Sequence, residues 1–283
     1  MKNMKKALSL VLALVMMLAL ASCGSAGTGA ASGSAADSAA ASAPAEGAES
    51  DLAYVQDKGT LVVGITDFEP MDYKDENGEW IGFDADMAAA FAKSLGVKVE
   101  FIEIDWDNKI MELNSKSIDC VWNGMTLTDE VKQSMATSNP YCDNAQVVVV
   151  PADKADQYQD TDSLADLSFA VETGSAGEAE VKNLNLDYTA VSTQADAVME
   201  VSAGSSDACV IDLLMAGAMV GEGTSYPQLT HTVKLNSEQY GVGFRTGSDL
   251  VDSLNEFFAA SYKDGSMQEI AEKYGVQDSL IAQ

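Results

Sequence analysis

Residues 60–103 read TLVVGITDFEPMDYKDENGEWIGFDADMAAAFAKSLGVKVEFIE, and the order of patterns in this stretch decides the fold. Thr60 to Ile65 is a β-branched, apolar run of strand length. From Asp84 to Leu95 the residues Met87, Phe91 and Leu95 recur four apart, which gives a helix one apolar face, and Gly96 stops that helix. Val97 to Glu103 follows as a second strand. Alternation of this kind predicts an α/β fold with a mainly parallel sheet covered by helices.

The alternation continues outward from this stretch. A helix is expected around Asn108 to Asn114, then a short apolar strand from Asp119 to Trp122. A second round starts at Ala145 to Val150. It predicts strands at Ser168 to Val171, Asp187 to Val191 and Asp207 to Ile211, with helices from Gly177 and from Ala195 to Ser202. Tyr240 to Phe244 reads as a strand, and helices over Asp249 to Tyr262 and Ser266 to Tyr274 follow it. The rounds echo each other: Ser117-Ile118-Asp119-Cys120-Val121 in the first answers Ser206-Asp207-Ala208-Cys209-Val210 in the second. The echo supports two similar lobes.

Upstream, Lys2, Lys5 and Lys6 precede an apolar run from Ala7 to Ala21, a signal-peptide layout too short for a membrane span. Leu20-Ala21-Ser22-Cys23 resembles a bacterial lipobox, which implies a signal peptide over residues 1–22 and a lipidated Cys23 as the first mature residue; an ordinary signal peptide with an incidental cysteine is the plainer reading. Residues 23–50, nearly all Ala, Ser and Gly, form a flexible tether.

The chain carries a net charge of −28. Without the three leader lysines it holds 13 basic against 44 acidic residues. Such a surface excludes nucleic acid and anionic lipid head groups as partners. Cys120, Cys142 and Cys209 are an odd number and imply no disulfide framework; Cys120 and Cys209 read as buried small hydrophobes. His231 is the only histidine, so neither a zinc site nor a His-based catalytic triad is expected, and no cofactor is implied.

Several motifs in fixed order then resemble a known family. They are Leu61-Val62-Val63-Gly64, Phe68-Glu69-Pro70, Gly82-Phe83-Asp84-Ala85-Asp86-Met87 and Trp106-Asp107. Next come Gly124-Met125-Thr126-Leu127-Thr128-Asp129-Glu130, Asn139-Pro140-Tyr141 and Gly174-Ser175, then Asp212, Tyr240-Gly241-Val242 and Lys263-Asp264-Gly265-Ser266. The set resembles bacterial extracellular solute-binding protein family 3, the polar amino-acid-binding lipoproteins of ABC importers. The resemblance implies a two-lobed clamshell joined by two hinge strands, with residues 51–144 and 242–283 in lobe one and 145–241 in lobe two. It also implies a monomer that binds a small polar amine or amino acid, an ABC permease as partner, contact with the membrane only through the lipid anchor, and a place on the outer face of the cell membrane.

By the same resemblance, Asp67 and Phe68 after the first strand, Trp106, the turn Asn123, Gly124 and Thr126, the loop Glu172, Thr173, Ser175 and Ala176, and Asp212 face the ligand. Phe68 and Trp106 would sandwich a side chain or an ammonium, although each also fits a core aromatic. Asp212 would pair with the α-ammonium, or cap the helix that follows, or both. Thr126 and the backbone of Gly124 would reach the ligand directly, and Ser175 with Ala176 opens a helix whose free N–H groups favour an anion. One position departs from the family: Val131 stands where an arginine would grip the α-carboxylate, and the only arginine, Arg245, lies outside these motifs. The cleft is therefore expected to be rich in anions and to favour a cationic amine or basic amino acid over glutamate or aspartate. The alternative is an enzyme of the same fold, resembling cyclohexadienyl dehydratase and acting on a small carboxylate, for which Glu172 is the candidate acid.

Overall fold

The computed structural model describes residues 50–283; the signal segment, Cys23 and nearly all of the tether lie outside the described residues. Helix α1 (Asp51–Lys58), which the sequence reading did not anticipate, leads into β1 (Thr60–Ile65), the ribbon β2 (Tyr73–Lys74) and β3 (Trp80–Ile81), α2 (Phe83–Ser94) and β4 (Lys98–Glu103). Then come α3 (Lys109–Asn114), β5 (Cys120–Val121), α4 (Asp129–Ser134) and β6 (Ala136–Thr137). The chain crosses on β7 (Cys142–Asn144) to β8 (Gln146–Pro151), β9 (Ser168–Glu172), α5 (Ala176–Asn183), β10 (Asp187–Val191), α6 (Gln194–Ala203), β11 (Ala208–Asp212), α7 (Leu213–Met219) and β12 (Leu229–Lys234). It returns on β13 (Glu238–Tyr240) to β14 (Gly243–Phe244), α8 (Leu250–Asp264) and α9 (Ser266–Tyr274).

Two five-stranded sheets result, in the orders β4-β1-β5-β14-β6 and β10-β9-β11-β8-β12. The topologies are the same. In each, the second strand of the order pairs in parallel with both neighbours (β1 with β4 and β5, β9 with β10 and β11), and the fourth strand runs antiparallel. The sequence echo has a physical basis here. Just before β5, Asp119 accepts a hydrogen bond from the Val62 backbone N–H at 2.8 Å; just before β11, Asp207 accepts one from the Ser168 N–H at 3.1 Å. Each aspartate therefore hooks the strand beside its own, β1 or β9, in the same sheet.

Burial follows the periodicities. α2 turns Phe83, Met87 and Phe91 inward, α8 buries Leu250, Leu254 and Phe258, and Trp122 and Tyr141 pack edge-on and tilted against Phe258. The expected strand over 240–244 is broken into β13 and β14, because Gly241 and Val242 turn the chain from the ribbon paired with β7 into the first sheet. Cys120, Cys142 and Cys209 are free and buried. Among the described residues no helix is long and apolar enough to cross a membrane.

Arg245 is internal scaffolding. Its Nε lies 3.1 and 3.0 Å from the two Asp51 oxygens, and its Nη1 donates to the carbonyls of Ile118 at 2.8 Å and Leu113 at 3.3 Å. Nη2 reaches Asp119, which Lys58 also contacts at 2.6 Å. Removing one partner of a buried ion pair costs about 3–5 kcal/mol, because the other is left uncompensated. Arg245→Met is expected to lower stability in chemical denaturation by that order while leaving ligand affinity unchanged by calorimetry.

Candidate ligand-binding cleft

A cavity of about 290 Å³ lies between the two sheets. The loops after β1 and β4 and the turn after β5 supply one wall, with Phe68, Trp106, Lys109, Gly124 and Thr126; the ends of β9 and β11 and the first turns of α5 and α6 supply the other, with Glu172, Ser175, Ala176, Gln194 and Asp212. Its size suits a small ligand enclosed on several sides.

Phe68 meets Tyr240 edge to face at 6.3 Å between ring centres. The ring lies so close to the turn after β5 that a Cβ on Gly124 would come within 2.5 Å of it, and the backbone there has φ 54°; both demand glycine. The lobes meet at a second glycine, Gly174, where a Cβ would approach Asp107 Oδ1 to 2.8 Å. Trp106 is both a core aromatic and a wall residue. It packs on Val62, Leu113 and Met125 and also faces the cavity.

Asn123 reaches the wall, but its side chain is engaged by the scaffold: Oδ1 accepts from Thr66 Oγ1 at 2.8 Å, and Nδ2 donates to Asp72 at 2.8 Å. Thr126 Oγ1 donates to Glu238 at 2.9 Å, and Ser175 Oγ caps α5 by accepting from the Glu178 N–H at 3.0 Å. Two residues expected at the ligand lie elsewhere. Asp67 faces a shallower hollow with Glu69, Tyr73, Lys74 and Met215; side chains alternate about the strand end, so Phe68 turns in and Asp67 turns away. Thr173 donates to the Val191 carbonyl at 3.1 Å and opens on a hollow beside Asp105 and Ser192.

Asp212 is almost fully enclosed. It accepts from Asn144 Nδ2, from Gln194 Nε2 at 2.6 Å and from the Tyr240 hydroxyl at 2.6 Å. It occupies the cap position of α7, yet its side chain makes no capping bond. Burial, reinforced by the nearby charge of Glu238, pushes its carboxyl up to about 7 despite these donors. Glu172 is equally enclosed, and its Oε1 has no hydrogen-bond partner. Burial first, then the charge of Asp212, pushes it up to about 8, while Lys109 opposes the rise.

Gln194 and Lys109 are wall residues that were not read from the sequence. Gln194 opens α6 and grips Asp212 from both sides, its Oε1 accepting the Asp212 N–H at 2.8 Å. Lys109 brings a cation into the cleft; its place three residues after Trp106, on the same side of a helical turn, was the available signal. Among the described residues no group of His, Cys, Asp and Glu is placed to hold a metal ion.

Similar proteins share this architecture. The L-cystine-binding protein TcyJ of Escherichia coli is 29% identical over 231 residues, 80% of this chain and 86% of its own length. A probable histidine-binding protein of Neisseria gonorrhoeae is 30% identical over 223 residues, covering 75% of this chain and 81% of its own. Among solved structures, the P235GK mutant of ArgBP from T. maritima superposes with a TM-score of 0.75 at 32% identity, over 80% of this chain and 99% of that one. An ancestral amino acid-binding protein, AncCDT-1, a precursor of cyclohexadienyl dehydratase, superposes with a TM-score of 0.73 at 33% identity over the same shares. Residues 61–277 match the sequence pattern of one family throughout, and with the clamshell topology this establishes that the chain belongs to the bacterial extracellular solute-binding proteins, family 3.

Proposed function

We propose that this protein captures an amino acid with a cationic side chain, or a related cationic amine, between its lobes and delivers it to the permease of an ABC importer. The observation that carries this reading is the unpaired Oε1 of Glu172, buried on the wall of a cavity that also holds Asp212 and two aromatic faces. A buried acceptor without a donor is costly, and a ligand N–H would remove that cost. Asp212 receives the α-ammonium; Phe68 and Trp106 flank the ligand. The lobes comprise residues 51–144 with 242–283, and 145–241. Lipidation of Cys23 holds the body, as a monomer on its tether, at the outer face of the membrane. Relatives named as an arginine-binding and a probable histidine-binding protein agree with a ligand of this class; the ligand of the cystine-binding relative, a zwitterion at both ends, lies outside it.

A second reading has one observation in its favour: a carboxyl with a pKa of about 8, facing a cavity, holds a proton at neutral pH and could act as an acid. Incubation with small cyclohexadienyl carboxylates and mass spectrometry of the mixture separates the two, since turnover would establish the enzyme.

The binding reading generates expectations of three kinds, on ligand affinity and ranking, on pH and on the anchor. In calorimetry Asp212→Ala abolishes measurable binding, and Trp106→Ala weakens it by roughly 0.5–2 kcal/mol. In a ligand panel glutamate and aspartate rank last, because Glu172 and Asp212 oppose a further carboxylate.

The second expectation concerns pH. In the empty cleft Glu172 and Asp212 keep their protons up to about pH 8 and 7, above the ordinary values of 4.5 and 3.8. Folding stability linked to them is therefore fully present below their unfolded values and is lost as pH rises toward 8. A cation favours the ionised forms, so its affinity falls as pH drops from about 8 toward 5. Glu172→Gln should make that slope shallower by up to about one proton; an unchanged slope would remove Glu172 from the site.

The third concerns the anchor. Cys23→Ala should release the protein from the membrane fraction or leave it unprocessed, and a processed variant still in that fraction would exclude lipidation there.

A further inference from the structure

We infer that Lys109 holds the carboxylate of the ligand, in place of the arginine that position 131 lacks. The inference rests on the proposed reading of the cleft as an amino-acid site and adds a specificity-determining residue to it.

Lys109 begins α3, immediately after the short 3-10 turn Trp106–Asn108, and that turn brings its side chain back over the Trp106 ring at 4.7 Å from the centre. Its ammonium donates to two carbonyls, Trp106 O at 3.1 Å and Gly174 O at 3.2 Å. Both acceptors are neutral. An ammonium has three N–H bonds, so one donor remains. The residue is only 8% exposed, and burial holds its pKa below the ordinary lysine value, opposed at longer range by Glu172, Glu130 and Asp107. A buried ammonium held by neutral acceptors is under-compensated, and an anionic group arriving in the cavity corrects that.

The surroundings agree. Lys109 is the only lysine or arginine among the residues lining the cavity, and Val131 lies on the same wall. Ala176, also on the wall, opens α5 at the positive end of the helix dipole, where Ser175 Oγ takes the Glu178 N–H and the Glu178 carboxylate takes the Gly174 N–H. The cavity thus holds one cation, Lys109, and two carboxyls, Glu172 and Asp212, that a bound ammonium draws into their ionised forms. A zwitterion aligns with this pattern, and a simple amine satisfies only half of it.

Lys109 also touches both lobes, since Trp106 and Gly174 belong to opposite walls, so a purely mechanical role as a closing latch must be told apart. The test is calorimetry on the full mature chain with two matched pairs, L-arginine with agmatine and L-histidine with histamine, in which each amine lacks only the carboxylate. For Lys109→Met, the preference for L-arginine over agmatine, and for L-histidine over histamine, should fall at least about tenfold, the loss of one charge-assisted hydrogen bond. Lys109→Arg should preserve the preference for the amino acid. Equal losses for amino acid and amine would make Lys109 a latch and overturn the inference, as would no loss for either. If the methionine variant does not fold, the wild-type comparison decides: an amine that binds as tightly as its amino acid overturns the role of Lys109 while leaving the cationic-ligand reading intact. Failure of the wild type to bind any of the four overturns both.

Discussion

A carboxylate taken out of water must be surrounded by donors, and the way Asp212 meets that requirement organises the molecule. Its donors come from β7, from the first turn of α6 and from β13. The first and last of these strands form the antiparallel ribbon between the two sheets, with Glu238 opposite Asn144 and Tyr240 opposite Cys142. Glu238 extends the network: its Oε1 accepts from Thr126 at 2.9 Å, Asn144 at 2.7 Å and Gln146 at 2.8 Å. A slip of one hinge strand past the other would unpair several buried acceptors together. The cavity-facing carboxylate and the hinge are therefore parts of one polar network, whose members are satisfied only in a narrow range of lobe positions.

Much of this was legible in the sequence because it depends on repeated local patterns. The spacing of Met87 and Phe91, the stop at Gly96 and the paired aspartates before β5 and β11 are properties of a few consecutive residues, and each predicts an element or an attachment. Phe68, Trp106, Glu172 and Asp212 were placed by motif and face the cavity. What escaped depends on contacts between distant segments. Whether Asn123 offers its amide to a ligand or to Thr66 and Asp72 depends on a loop fifty residues away, which no local pattern encodes. The side toward which Asp67 and Thr173 point is fixed by the strand they end and by the neighbour it pairs with. Lys109 escaped because only the 3-10 turn between Trp106 and α3 brings its ammonium back over the Trp106 ring and into the cleft.

The distribution of charge follows from scarcity. In a chain with 16 basic and 44 acidic residues, most acids have no basic partner and stay in water, and the buried cations sit where carboxylates or carbonyls converge. Arg245 and Lys58 converge on Asp119, which itself hooks β1. Asp72 and Asp84, buried beneath the Gly124 turn, have no cation; Asp84 relies on the Gly124 N–H and the Tyr141 hydroxyl, and burial raises the pKa of both acids. The floor of the cavity is thus set by neutral donors, and cations are reserved for the frame and for Lys109.

The position of β14 has a consequence for how the chain is assembled in time. This strand sits between β5 and β6, yet it is encoded after every strand of the second sheet. During synthesis from the N-terminus the second sheet can therefore be completed while the first still lacks an interior strand and its two closing helices. The first sheet must close a loop of more than a hundred residues, from β5 to β14, before it gains that pairing, and contacts between segments so distant form slowly. The half of the molecule that begins the sequence is the last to finish folding, with unpaired strand edges that invite misassembly until the C-terminal segment arrives.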